Sequence, residues 1–167
     1  GEMASYRSRL PVKEFQIVRR FCLHKPGNVR RFLGLSSKEA QALDGLSLAG
    51  VVNTSDQVIY IDHCLSEPEK EYTEIHELVH ARRQMNGEEL PDYDLEEIYV
   101  ELETVARARR STLLSLFPNT LLFLLHDYLT EGGRLKADRK SDLAKIYRNI
   151  EAFISLMRSR RLTSLRS

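Results

Sequence analysis

The spacing of apolar residues changes along the chain, and the changes predict where helices and strands lie. Residues 11–24 carry apolar side chains at near-helical spacing, which predicts a first helix. Residues 48–52 and 57–62 are rich in β-branched residues and flank the turn-forming residues 53–56, which predicts a β-hairpin. Residues 58–62 also alternate between two faces, as expected of a half-buried strand.

Capping residues and an apolar stripe predict the remaining helices. Ser66 with Glu69, and Asp94 with Glu97, are spaced as capping boxes, and Gly87 is placed to end the first of these two helices. The predicted helices cover residues 36–45, 67–86, 95–116, 119–129 and 138–160. A mostly helical chain with one small sheet belongs to the α+β class.

Length and composition describe an ordinary globular protein. The chain has 167 residues, of which 42% are hydrophobic and 29% charged, so we expect one domain over residues 1–167 with loose ends at 1–9 and 161–167. No apolar run reaches the length of a membrane span, residues 1–9 lack the apolar core of a signal peptide, and two cysteines cannot form a disulfide framework. We therefore expect a cytoplasmic protein.

The charge is distributed unevenly, although the net charge is only +1. Residues 67–103 contain 13 acidic and three basic residues, a formal charge of −10, and the rest of the chain carries +11. Near-neutrality argues against a strongly basic nucleic-acid binder. The acidic centre is where a cation would be attracted, although most such charge lies on solvated helix surfaces.

The first long predicted helix carries the sequence His76-Glu77-Leu78-Val79-His80. Residues four apart lie on one helix face, so both imidazoles can bind one ion. Zinc in a hydrolytic site takes three protein ligands and keeps one position for water. A carboxylate beside it takes the proton of that water and returns it to the leaving amine. This spacing predicts a Zn²⁺ site with His76 and His80 as ligands and Glu77 as the catalytic base.

The third ligand has to come from another part of the chain. No third histidine follows within the next dozen residues, so a carboxylate on the next predicted helix is the alternative. The candidates are Glu97, Glu101 and Glu103, and the small residues beyond them allow a close helix approach. Spacing alone does not choose between Glu101 and Glu103.

Residues 47–118, less than half of the chain, resemble the ImmA/IrrE group of zinc peptidases among the gluzincins. The resemblance lies in the alternating strand 58–62, the His-Glu-x-x-His helix 72–80 and the glutamate-bearing segment 101–108. The family usually writes the last segment Glu-x-Glu-Ala-Asn-x-x-Ala and uses its second glutamate as a ligand. That register implies Glu103, although Thr104 and Val105 stand where Ala and Asn are usual.

The resemblance implies a zincin-like domain with a small antiparallel hairpin before the histidine helix. It also implies a cytoplasmic zinc endopeptidase that cleaves a specific regulatory protein, typically a helix-turn-helix repressor, with no direct contact to nucleic acid or membrane. One alternative is a non-catalytic gluzincin-like module that binds a repressor or antitoxin. A structural zinc site is a second alternative, but such sites normally have four protein ligands.

Other polar residues are expected to have structural roles. His63 and Cys64 would be packing or strand-end residues, because a Cys/His zinc site needs more ligands than they provide. Arg82 and Arg83 are expected to be solvated. His126 and Asp127 are expected to form a buried pair within an apolar helix.

Overall fold

The computed structural model describes residues 9–23, 25, 28, 49–116, 126–131, 134–139, 142, 144–146 and 148. These residues form an α+β structure, and the chain divides into two compact units, one of residues 10–88 and one of residues 1–9 and 89–167. The expectation of a single domain over 1–167 stays a prediction. Within the described ranges, no helix is both long and apolar enough to cross a membrane.

The unit of residues 10–88 consists of a three-stranded mixed sheet covered by one long helix. The strands are β1 (Gln16–Val18), β2 (Gly50–Asn53) and β3 (Val58–Ile61), in the order β1-β3-β2. β3 pairs in parallel with β1 and antiparallel with β2. The helix α1 (Glu67–Met85) packs on β2 and β3. The buried core joins sheet and helix through Phe15, Ile59, Ile61, Leu78 and Ala81.

The prediction of a helix over residues 11–24 is wrong, because the strand β1 lies there instead. Phe15 is buried, whereas Val12, which a helical stripe would place on the same face, is 54% exposed. β1 gains its hydrogen-bonding partner from β3, about forty residues further along the chain. A short apolar run fits both the helical period of about 3.6 residues and the strand period of about two. In residues 16–18 the pairing with β3 decides in favour of a strand.

The hairpin and the histidine helix lie where the sequence predicts them. β2 and β3 pair Gly50 with Ile61 and Asn53 with Val58 across the predicted turn. The Ser66 side chain accepts a hydrogen bond from the Glu69 backbone N–H, and the Glu69 carboxylate accepts one from the Ser66 backbone N–H, so the capping box is complete. Gly87, at a φ of +69°, follows the last residue of α1 and its cap.

The second unit contains α2 (Tyr93–Arg107) and α3 (Arg110–Leu116), where the sequence predicts one continuous helix. The N-cap is Asp92 and not Asp94, since the Asp92 carboxylate accepts hydrogen bonds from two backbone N–H groups of the first turn. α2 ends because Ala108 adopts an extended conformation with a ψ of 149°. No glycine or proline marks that break in the sequence.

The rest of the second unit is described in short pieces. Residues 126–129 are helical, followed by the two-stranded pair β4 (Thr130–Glu131) and β5 (Arg134–Leu135), which the sequence does not predict. A short 3₁₀ helix (Ala137–Arg139) follows, and residues 142, 144–146 and 148 are helical, in agreement with the last predicted helix. The predicted helix 36–45, residues 119–125 and the end of the last helix lie outside the described residues. A buried cluster in this unit contains Leu95, Ile98, Leu102, Tyr128 and Ile146.

Candidate metal centre

His76 and His80 lie one turn apart on α1, with both side chains half-buried. Their Nε2 atoms are 3.2 Å apart. The ring centroids are separated by 4.8 Å, and the ring planes are inclined by 73° to each other. The helix therefore brings the two expected ligand atoms to a single point, as the four-residue spacing predicts.

The separation of these nitrogens fits two ligands of one ion. Nitrogens bound to a single tetrahedral zinc, each about 2.0–2.1 Å from the metal, lie about 3.3 Å from each other. The observed 3.2 Å allows both rings to bind with almost no movement. At this distance the two Nε2 atoms can share one proton, and an ion between the rings would replace that proton. The pair is therefore one part of a possible metal-binding group.

Glu77 is buried, with 9% of its surface exposed, and its side chain lies against the first residue of β2. A β-carbon built on Gly50 would lie 2.9 Å from Cγ and 3.2 Å from Oε1 of Glu77. The same atom would lie 2.7 Å from Cγ2 of Thr73, one turn earlier on α1. Only glycine at this position leaves room for the Glu77 side chain as it is placed, so the sheet restricts where the carboxylate can go.

Contacts of the other α1 residues hold the helix that carries His76, Glu77 and His80 in place. Leu78 and Val79 are buried, as their apolar character predicts. Arg19, next to β1, forms an ion pair with Glu74. Because α1 is capped at both ends and buried along one side, we expect the histidine pair to be held rigidly.

The expectation that Arg82 and Arg83 are solvated is wrong. They are only 3% and 8% exposed, and both guanidinium groups reach Glu88. Arg82 Nη2 lies 3.3 Å from Oε2 of Glu88, and Arg83 Nη2 donates to the Glu88 carbonyl oxygen at 3.0 Å. A buried guanidinium needs a hydrogen-bond acceptor, so Arg82 and Arg83 hold the segment around Glu88 against the end of α1.

The carboxylates that are candidates for the third ligand all lie on α2, in the second unit. Glu103 is 2% exposed, and its Oε2 accepts a hydrogen bond from Nε of Arg107 at 3.1 Å. Glu101 is 5% exposed, whereas Glu97 is half-buried. The choice among them stays a prediction.

Two other expectations about polar residues change. The expectation of a buried pair is wrong for His126 and Asp127, which form an exposed pair with 68% and 83% of their side-chain surfaces accessible. Cys64 is not merely a strand-end residue, since its Sγ lies 3.0 Å from Sγ of Cys22. No local motif links these two cysteines, and only the parallel pairing of β1 with β3 reveals their proximity.

Comparison of the chain with protein-family models, with curated proteins and with solved structures found no match. The resemblance to the ImmA/IrrE group therefore rests on the sequence pattern alone. The structure supports a coarser statement, that side chains able to bind a metal ion are clustered.

Proposed function

We propose that the chain is a zinc-dependent endopeptidase with a zincin-like arrangement of hairpin and histidine helix. The single observation that carries this proposal is the 3.2 Å separation of the His76 and His80 Nε2 atoms, directly beside Glu77 on one capped helix. The third ligand is Glu103 in the register of the family pattern, with Glu101 as the alternative from spacing. Glu97 is a further candidate, because its carboxylate is less deeply buried than the other two.

In the proposed mechanism the two histidines bind the metal and Glu77 transfers the proton. A bound zinc ion would supply a Lewis acid, which makes water a competent nucleophile at neutral pH. His76 and His80 would hold that ion as neutral imidazoles. Glu77 accepts a proton from the attacking water and donates it to the leaving amine of the peptide. Gly50 and Thr73 confine the Glu77 side chain, which limits the rotamers it must search.

The proposed peptide substrate would bind in an extended conformation along β2. Among the strands in the described part of the chain, β2 is at one edge of the order β1-β3-β2, and its first residue contacts the Glu77 side chain. An edge strand can bind an extended peptide by main-chain hydrogen bonds, which depend little on sequence. We propose that the substrate is a regulatory protein such as a helix-turn-helix repressor, as the resemblance implies, and that the enzyme acts in the cytoplasm.

The test combines metal analysis with a Glu77→Gln variant. The double variant His76→Ala/His80→Ala should contain about one zinc ion per chain less than the wild type, since three protein ligands hold a hydrolytic zinc. Glu77→Gln should keep the zinc content of the wild type and lose cleavage of a peptide library by a factor of about 10² or more. Mass spectrometry of the products measures that cleavage.

Two results would contradict the peptidase. One is a zinc content that does not depend on the histidines. The other is a Glu77→Gln variant that keeps its metal and cleaves the library at the wild-type rate. If neither protein cleaves any peptide, although both bind the same repressor or antitoxin, the chain is a binding module and not an enzyme.

A further inference from the structure

The segments that follow β1 and β3 lie side by side and bring two cysteines together. The parallel pairing of the strands places Gln16 opposite Val58 and Val18 opposite Tyr60. Past the strand ends, the His63 backbone N–H donates to the Phe21 carbonyl at 2.9 Å, which holds the two segments next to each other. Cys22 and Cys64 lie four residues after Val18 and Tyr60, and their Sγ atoms are 3.0 Å apart.

A buried carboxylate lies between the two segments. Asp62 is 7% exposed, and its Oδ1 accepts hydrogen bonds from the backbone N–H groups of Leu23 and Cys64, each at 3.2 Å. One hydrogen bond comes from each cysteine-bearing segment, so the carboxylate is held in place from both sides. A carboxylate oxygen of Asp62 and the two sulfurs all lie within 4.8 Å of one another.

We propose that Cys22, Asp62 and Cys64 form a second metal site that binds a thiophilic divalent cation such as Zn²⁺. Two thiolates and one carboxylate are a donor set that zinc accepts, and hard cations such as Mg²⁺ avoid the sulfur ligands. The site lies at the end of the sheet and depends on none of the residues of the histidine centre.

The electrostatics of the cluster favour a cation. Three acidic groups this close repel one another when ionised. A divalent cation offsets that repulsion, and its binding releases one proton from each thiol.

The geometry requires a small adjustment of the sulfurs. Two thiolates on one tetrahedral zinc, each about 2.3 Å from the metal, lie about 3.8 Å apart. The observed 3.0 Å is shorter than that but longer than a disulfide bond of about 2.05 Å. Cys64 is exposed, so its side chain has room to move outward. With three protein donors, the fourth position is left to water or to a small ligand.

The test uses cadmium, whose thiolate complexes absorb in the ultraviolet, titrated anaerobically into the reduced chain of residues 1–167. The His76→Ala/His80→Ala background removes the histidine centre, so that success or failure here does not depend on the peptidase. We expect one cadmium per chain to produce the thiolate absorption and to release about two protons at a pH below the thiol pKa. Cys64→Ser should abolish the absorption, and Asp62→Asn should weaken cadmium binding by about tenfold or more.

His63→Ala is the matched control, since His63 is the exposed neighbour of both Asp62 and Cys64 but is not a proposed ligand. It should bind cadmium as the parent does. The proposal is overturned if two free thiols are titrated and no thiolate absorption develops with cadmium. It is also overturned if the cysteines of the anaerobically prepared protein are found as a disulfide, or if Cys64→Ser retains the absorption.

Discussion

Gly50 on β2 lies in direct contact with Glu77 on α1, so closely that a methyl group at Gly50 would stand 2.9 Å from Cγ of Glu77. Gly50→Ala should therefore displace the Glu77 side chain or push the helix away from the sheet. Overpacking of this kind costs about 1–3 kcal/mol, which urea denaturation measures. If the peptidase proposal holds, kcat should fall while the zinc content stays at the wild-type level.

Gly87→Ala is the control for the Gly50→Ala substitution. Gly87 has a φ of +69°, and nothing lies within 4 Å of a β-carbon built there. The substitution should cost about 1 kcal/mol through backbone strain and leave catalysis unchanged. A Gly50→Ala protein with wild-type stability and kcat would show that Gly50 does not restrain Glu77.

If the zinc site exists as proposed, its third ligand is tested by neutral substitutions on α2. Glu103→Gln should lower zinc affinity by about 100-fold or more, whereas Glu101→Gln and Glu97→Gln should each cost about tenfold or less. Glutamine preserves the side-chain volume, which matters because Glu103 is buried beside Arg107. Competition with a chromophoric chelator measures the affinities, and thermal unfolding confirms that each variant is folded. The largest loss at Glu101 or Glu97 would move the ligand to that residue.

Local signals explain what could be predicted from the sequence. The Ser66 capping box, the turn between β2 and β3 and Gly87 each act within a few residues, so the hairpin and α1 lie where the sequence indicates. The proximity of His76 and His80 follows from the helix period alone. These are the parts of the molecule in which local geometry decides the structure.

Contacts between distant segments explain what could not be predicted. β1 is a strand because β3 pairs with it, and the same pairing brings Cys22 to Cys64. The burial of Arg82 depends on Glu88, which follows the end of the helix. Asp92 and Asp94 have identical side chains, so the sequence does not show which of them is the N-cap of α2. The ion pair of Asp92 with Arg139 is visible only in the fold.

The capping box of α1 should contribute measurably to stability. Ser66→Ala removes the side-chain acceptor of the Glu69 backbone N–H and should lower the free energy of unfolding by about 1 kcal/mol. Glu67→Ala is the matched control, since the Glu67 side chain is 87% exposed and its ion pair with Lys70 is worth about 0.5 kcal/mol or less. Urea denaturation compares the two variants. Equal effects would mean that the cap adds no more than a surface charge pair.

Tyr128 in the second unit should make stability fall at alkaline pH. Its hydroxyl donates to Oδ2 of Asp142 at 2.7 Å and accepts from Nη1 of Arg139 at 3.1 Å. Burial, and then the hydrogen bond to Asp142, raise the pKa of Tyr128 well above its ordinary value. Above pH about 10 the unfolded chain loses this proton while the folded chain keeps it, so the free energy of unfolding decreases as the pH rises.

Tyr128→Phe isolates this contribution. The variant should be about 1 kcal/mol less stable at pH 7, because it loses the hydroxyl hydrogen bonds. The difference between the two proteins should shrink as the pH rises past about 10, since phenylalanine has no proton to lose. Tyr93→Phe, measured in parallel, is the control for the loss of a tyrosine hydroxyl at an exposed position, since Tyr93 is 73% exposed. A difference between wild type and Tyr128→Phe that stays constant from pH 7 into this alkaline range would mean that the Tyr128 proton is held no more tightly in the folded chain than in the unfolded one.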